Sequence, residues 1–383
     1  MILAEILFLL AAFFQLIAWG FVLSKTSRTH LATKGQLNQD GQSARTSIPS
    51  HDAPPVSIIV CFRNEEERII SCLRAILRQT HPAMEVLAID DYSTDASAAL
   101  VERLSTHHPH LRLLRPPQPT RPGKKDALTF GITAATHDVI LLTDADCIAV
   151  DPAWAVLMTE PFVDASVQLV LGYSPYRQKG GAVNTVQRYE TLYTALQYLG
   201  MAAIGYPYMG VGRNLAYRKA FFQKAGGLAR HAHLPGGDDD LLISHHARGS
   251  STRFVIHPAS WTYSAPATGW ADYLSRKFRH LGVGGHYPLW IKALLGGLAL
   301  SHIGVYPLGL ILLGLGQYTL VFAIWLIRWG LIVAVIRRST LNRSSLHPFS
   351  IPLIIGGDVA MAIYYLLLLP APWIGRRARG GWR

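Results

Sequence analysis

Residues 3–23, LAEILFLLAAFFQLIAWGFVL, form a nearly unbroken apolar run of 21 residues. A run of that length crosses the roughly 30 Å hydrocarbon core of a bilayer as one helix, and this constrains everything that follows it. A cleaved signal peptide carries its basic residues ahead of the apolar run, whereas here Lys25 and Arg28 come after it, so a retained transmembrane helix is expected. The positive-inside rule then puts the N-terminus outside and the residues after Lys25 in the cytoplasm. Three further apolar segments, 294–316, 318–336 and 351–370, lie near the other end. The first two read as a hairpin that returns Arg337, Arg338 and Arg343 to the cytoplasmic side. The third is ambiguous. Spanning would carry the tail RRARGGWR and its four arginines outside, while Gly356, Gly357 and Asp358 also suit a re-entrant or interfacial segment. Spanning is the favoured expectation, giving two to three C-terminal membrane helices.

Half of the 383 residues are apolar and 16% are charged, against ~25% charged in soluble domains. Intrinsic disorder and a purely soluble enzyme are both disfavoured. The net charge of +12 is unevenly placed: from Trp270 onward twelve Lys/Arg face two acids, which leaves +2 for residues 1–269. A nucleic-acid binder carries its basic residues on a folded face. Here they flank apolar segments, which points to membrane lipids as partners and not to nucleic acid. Cys61, Cys72 and Cys147 show no CxxC spacing, as in a reducing compartment.

Residues 24–53 are polar and read as a linker, and a folded domain begins at Pro54. From Val56, β-rich runs alternate with helical ones: VSIIVCF, EERIISCLRAILRQ, EVLAID, DASAALVERLSTH, LRLLR, KDALTFGITAAT, DVILLTD. Such alternation predicts an α/β domain with a mostly parallel, Rossmann-like sheet, whose functional groups gather at the carboxyl ends of the strands. Acidic clusters stand at those ends: Asp90-Asp91, Asp144-Ala145-Asp146, and Asp238-Asp239-Asp240 before an apolar helical turn. Each alone could cap a helix. Carboxylates one residue apart at a strand end also suit Mg²⁺ or Mn²⁺, which take their remaining ligands from phosphate and water. Transfer from a nucleotide sugar needs such a site, plus a cation to assist the departing phosphate and a carboxylate to deprotonate the acceptor.

These segments resemble the membrane-bound family 2 glycosyltransferases, whose catalytic domain has the GT-A fold. SIIVCFRNEEERI (57–69) is similar to the family's S-V-I-I-P-x-Y-N-E, AIDDYSTDAS (88–97) to V-D-D-x-S-x-D, and GKKDALTFGI (123–132) to G-K-x-x-A-L-N-x-G. TDADC (143–147) resembles the D-x-D, GGDDDLL (236–242) falls at E-D-x-D-L, and SRKFRH (275–280) at Q-x-x-R-W. The resemblance implies a nucleoside pocket lined by Asn64, Glu65, Asp90 and Asp91, with Lys124 near the donor diphosphate. It implies a metal pair in Asp144 and Asp146, Asp146 being the direct ligand. The catalytic base would be Asp238, with Gly237 in the motif glutamate's place; a one-residue slip would make it Asp239. Arg213 and Asn214, in a glycine-rich loop, would approach donor sugar and acceptor, and Arg279 the leaving phosphate.

Departures from the family pattern are Cys61 for proline, Arg63 for tyrosine, and Arg276 and His280 for the Gln and Trp of Q-x-x-R-W. Loss of that tryptophan disfavours a processive polysaccharide synthase and favours addition of one or a few sugars to a lipid or lipid-linked acceptor. A catalytically silent scaffold is the rival from another class, and the complete carboxylate set disfavours it. The organisation expected is a membrane helix (1–23), the linker (24–53), a GT-A domain (54–268), an interfacial amphipathic segment (269–290), and membrane helices with a basic tail (291–383). The catalytic domain would face the cytoplasm at the inner membrane. The tyrosine-rich stretch 174–210 reads as core packing or as a lipid-facing segment. The pairs His107-His108 and His245-His246 read as solvated helix ends, since adjacent helical residues do not converge on one ligand.

Overall fold

The structure is a computed structural model that describes residues 1–26, 53–118, 124–234, 236–343 and 348–368. Most of the expected linker and the whole arginine-rich tail lie outside the described residues.

The alternation becomes a Rossmann-like half: β1 (Val56–Phe62), α2 (Ile69–Leu77), β2 (Met84–Asp90), α3 (Ser97–Ser105), β3 (Leu111–Leu114), α4 (Lys125–Ala134) and β4 (Val139–Asp144), all following α1 (Ile2–Thr26). β1 is buried along its full length. Its period of two splits it between cores: Ile58, Val60 and Phe62 join the core under α2, while Ile59 and Cys61 join the core on the opposite face. Burial on both faces is why these strands read as continuous apolar runs. The second half brings β5 (Cys147–Ala149), α5 (Trp154–Thr159), β6 (Leu169–Leu171), α6 (Ala182–Ala203), β7 (Leu215–Arg218), α7 (Lys219–Lys224), α8 (Asp240–His246), β8 (Thr252–Phe254) and β9 (Thr262–Ser264). The main sheet runs β3-β2-β1-β4-β7-β6-β8, with β5 and β9 as a separate pair. β7 is antiparallel to both neighbours and the other pairs in the main sheet are parallel. The register sets Phe62 beside Asp90 and Cys61 beside Asp144, so the carboxyl ends of three neighbouring strands finish at one level.

The amphipathic α9 (Trp270–Leu281) is followed by α10 (Leu289–Gly314), α11 (Tyr318–Arg338), the short α12 (Thr340–Arg343) and α13 (Ile351–Leu368). α1, α10, α11 and α13 are four helices long and apolar enough to cross a membrane. α10 begins five residues before the expected 294, inside the segment read as interfacial. The tight link through Gly316, at φ +84°, makes α10 and α11 the anticipated hairpin. The stretch 174–210 resolves as packing: α6 buries Tyr189, Tyr193 and Tyr198. It lies between the sheet and the apolar helices, with Trp19 of α1 edge-on to Tyr193 at 5.1 Å.

Candidate active site

Two loops at the carboxyl edge are laced together. Asn64, at φ +55°, accepts the Thr94 N–H at 2.8 Å through Oδ1 while its own N–H meets Ser93 Oγ at 3.0 Å. The Glu65 N–H donates to Ser97 Oγ at 2.8 Å, and Asp95 Oδ2 accepts the Glu66 N–H at 3.2 Å. Asn64 and Glu65 therefore stand across from the turn that follows Asp90 and Asp91. Burial pushes the Glu65 carboxyl up, partly offset by Arg68 at 3.1 Å. The two aspartates divide their tasks. Asp90 accepts the Ser93 N–H at 2.9 Å and Arg115 Nε at 2.8 Å, so its carboxylate holds the turn, and Asp91 is the buried acid beside it.

Lys124, at the start of α4, is the hub. Its ammonium lies 2.9 Å from Asp144 Oδ1 at the end of β4 and 3.0 Å from Asp238 Oδ2 in the loop before α8. Burial alone would lower the Lys124 pKa; Asp144, Asp238 and Asp239 overturn that and hold it well above the lysine value. Burial likewise raises the Asp144 carboxyl, and Lys124, then Arg213 and Arg279, outweigh it, so the net shift is downward. The Asp144 side chain keeps 38% of its surface exposed, which leaves it open to a ligand. Among the described residues, the hydrogen bonds to Asp146 are long ones, from Ser264 Oγ at 3.3 Å and Cys147 Sγ at 3.4 Å, and its charge acts on Arg213 and Arg276.

Asp238 and Asp239 also separate. Asp239 accepts the Gly212 N–H at 2.6 Å and the Asp240 N–H at 2.8 Å, capping α8. Burial, then the charge of Asp238, push its carboxyl up to about 6. Asp238 instead faces Lys124. Gly212 makes room for this arrangement, since a Cβ there would lie 3.1 Å from Asp239 Oδ2 and 3.3 Å from Lys124 Nζ.

Arg213 comes to the site and Asn214 does not. The Arg213 guanidinium stacks over Tyr176 at 4.5 Å, and its charge acts on Asp144. Asn214 is fully buried, donating to the carbonyls of Tyr173 and Ser260 at 2.8 Å each and accepting the Trp154 indole at 3.0 Å. Its amide is spent inside the core. On α9, Arg276 pairs with Asp272 at 2.9 Å and Lys277 with the buried Glu190 of α6, which leaves Arg279 exposed near the carboxylates. Ser264, Tyr176 and Gly212 were not read from the sequence. Only the backbone path through β9 and the Gly210–Gly212 loop brings them here, although a glycine before Arg213 hinted at a close approach. Among the described residues no group of three or more His, Cys, Asp or Glu is arranged to hold a metal, the histidine pairs included.

Comparison with known proteins agrees. The family described as Glycosyl transferase family 2 matches residues 57–224. The glycosyltransferase AglE of Haloferax volcanii is 26% identical over 228 residues, 59% of this chain and 71% of that protein. A beta-monoglucosyldiacylglycerol synthase of Nostoc sp. is 28% identical over 136 residues, and there the match spans 34% of this chain and 29% of the relative. Among solved structures, the mannosyltransferase PcManGT from Pyrobaculum calidifontis, in complex with GDP-Man and Mn²⁺, superposes with a TM-score of 0.56 at 20% identity, over 94% of this chain and 98% of that one. Sequence, sheet order and carboxylate edge thus converge: residues 57–224 match the family 2 glycosyltransferases on a GT-A fold, joined, among the described residues, to four helices long and apolar enough to cross a membrane.

Proposed function

We propose that this glycosyltransferase is an inverting, metal-dependent hexosyltransferase that moves a sugar from a nucleoside diphosphate donor onto a lipid or lipid-linked acceptor at the cytoplasmic face of the inner membrane. The observation that carries the reading is Lys124, one cation bridging Asp144 at 2.9 Å and Asp238 at 3.0 Å. It joins the strand-end carboxylates suited to a diphosphate to the carboxylate suited to an acceptor. The names of the relatives support the two halves: one is a glycolipid synthase, and the PcManGT structure contains GDP-Man and Mn²⁺.

The residues fit a divalent cation. The site offers two carboxylates and no third protein ligand among the described residues, which suits Mg²⁺ or Mn²⁺ completed by diphosphate and water. Asp146, whose hydrogen bonds among the described residues are long, and the half-open Asp144 would hold it. When bound, the cation supplies positive charge to the diphosphate as it leaves.

The protein's own groups do the rest. Asp238 takes the proton of the acceptor hydroxyl, whose oxygen bonds to the anomeric carbon from the face opposite the diphosphate, inverting that centre. Lys124 passes from the carboxylates to the phosphate oxygen that gains charge as the anomeric C–O bond breaks, and Arg279 approaches from α9. Asp239, with both oxygens on backbone N–H groups, sets the loop that aims Asp238. Asn64, Glu65 and Asp91 line the nucleoside end, and Arg213 stands between the donor and Tyr176. The test is a panel of nucleotide sugars with the detergent-solubilised protein, read by release of nucleoside diphosphate. Turnover should require a divalent cation and vanish in Asp146→Ala, and sugar transfer should vanish in Asp238→Asn. Near-normal transfer by Asp238→Asn would overturn the assignment of the base.

A further inference from the structure

The apolar helices enclose a polar centre that the reaction does not use. Asp358 of α13, Arg328 of α11, His302 of α10 and Gln15 of α1 are all 0–1% exposed. Arg328 is bidentate on Asp358, with Nη2 donating to Oδ1 at 3.0 Å and Nη1 to Oδ2. Nη2 also donates to Gln15 Oε1 at 3.3 Å, and Gln15 Nε2 continues to Ser301 Oγ at 2.8 Å. All four candidate spans thus supply at least one side chain, and α10 supplies both Ser301 and His302.

One arm leaves the bundle. His302 Nε2 lies 2.9 Å from the Asp358 carbonyl, an acceptor, so Nε2 carries the proton and Nδ1 accepts the hydroxyl of Tyr193 at 3.0 Å. Tyr193 belongs to α6 of the catalytic domain. α6 in turn holds α9, through the Glu190–Lys277 ion pair, and the loop before it, through Gln187 Oε1 and the Ala267 N–H at 2.9 Å. A continuous path of hydrogen bonds and helix runs from the centre of the bundle to the helix that carries Arg279.

Ionisable side chains among apolar helices are costly, and the best-attested structural use of a buried polar or ionic group is to fix register. Between their charged ends and outside this centre, α1, α10, α11 and α13 are mostly apolar and could slide or rotate against one another at little cost. We infer that the Arg328–Asp358 pair with its His302–Tyr193 arm is a register lock, a set of positioning residues. It fixes the height and rotation of the catalytic domain over the bilayer, and thereby brings Asp238 within reach of an acceptor anchored there. The inference rests on the reading that these helices span a membrane and that the acceptor is membrane-held.

The test uses the full chain in vesicles of phosphatidylcholine and phosphatidylglycerol. A fluorophore on Glu102→Cys in α3, the native cysteines Cys61, Cys72 and Cys147 being buried, reports its distance to a headgroup-labelled lipid by energy transfer. The double variant Arg328→Met/Asp358→Leu replaces the pair with apolar side chains, an exchange that commonly preserves or raises stability. Its thermal stability should match wild type while its energy transfer spreads over a range of values. Incorporation of radiolabelled sugar into the solvent-extractable lipid fraction should fall about 10- to 100-fold, as misplacement by about 1 Å commands. Hydrolysis of the donor by water should stay unchanged. Tyr193→Phe, which removes one hydroxyl, should move both readouts the same way by less. A double variant with wild-type energy transfer and wild-type lipid labelling would overturn the lock, as would hydrolysis and lipid labelling falling in step. Wild-type protein that fails to embed in vesicles would overturn the membrane reading, and the inference with it.

Discussion

Gly237, which the resemblance sets in the place of the motif glutamate, has a geometry that favours glycine. Its φ is +83°, and a Cβ there would lie 2.5 Å from Val283 Cγ1 and 2.9 Å from Leu241 Cδ1. Gly237→Ala therefore carries two penalties. A left-handed conformation costs an L-residue about 1–2 kcal/mol, and overpacking against Val283 and Leu241 costs about 1–3 kcal/mol. The expected loss is about 2–5 kcal/mol of stability. The next residue is Asp238, 3.0 Å from Lys124, and shifting its carboxylate by about 1 Å should lower kcat by about 10²-fold. Gly237→Glu, the family's own residue, should be worse still. Val283→Ala in the Gly237→Ala background removes the nearest clash and leaves the backbone strain, so about 1–2 kcal/mol should return as a coupling energy. The assays are denaturant unfolding of the purified protein and nucleotide release at saturating donor. A Gly237→Ala protein within about 0.5 kcal/mol of wild type, the range of ordinary surface substitutions, would refute the strain argument. Absence of coupling to Val283 would refute the overpacking part alone.

Lys124→Met leaves Asp144 and Asp238 without their shared cation; nucleotide release should fall by about 10²–10³-fold, the usual loss for one charge-stabilising group. Asp239 titrates at about 6 in the folded protein, above the unfolded carboxyl near 3.9. The stability its protonated form contributes is therefore complete below about pH 4 and is lost as pH rises to about 6, a change of at most about 3 kcal/mol. Unfolding measured at pH 4 to 7 should show a flatter slope in Asp239→Asn. Asn214→Ala strands the Trp154 indole and two carbonyls inside the core and should cost about 2–4 kcal/mol. Nucleotide release per folded molecule should stay near wild type; a raised donor KM at unchanged stability would show instead that Asn214 meets the substrate.

The parallel half of the sheet was legible because each strand carries a signal of its own. The expected VSIIVCF coincides with β1, and EVLAID and DVILLTD each differ from their strands by one residue. β6, β8 and β9 have three residues each, too short for periodicity to register, and they pair with β7, β6 and β5 respectively. The carboxylates were legible for a related reason, since strand ends are where an α/β sheet presents its chemistry. The division of labour inside each cluster was not. Whether Asp90 or Asp91 holds the turn depends on Arg115, 25 residues away. Arg213 and Asn214 are neighbours with opposite fates because consecutive residues entering β7 face opposite sides of the chain, one toward Tyr176 and one toward Trp154.

The sequence objection to a spanning α13 had two parts, Asp358 within the segment and the arginines after it. The first dissolves in the structure. An isolated carboxylate argues against crossing a bilayer, and so does the isolated Arg328 in α11, because each is charged the full cost of leaving water. Bound to each other through both carboxylate oxygens and the two terminal guanidinium nitrogens, Nη1 and Nη2, they present no net charge to the surrounding helices. A reading that weighs each segment separately counts two penalties where the folded chain has one neutral pair. Arg328 is therefore paired inside the bundle, and the basic residues that remain at and just after the end of α11 are Arg337, Arg338 and Arg343. The aspartate that argued against a spanning α13 is the residue that joins α13 to α11, through Arg328.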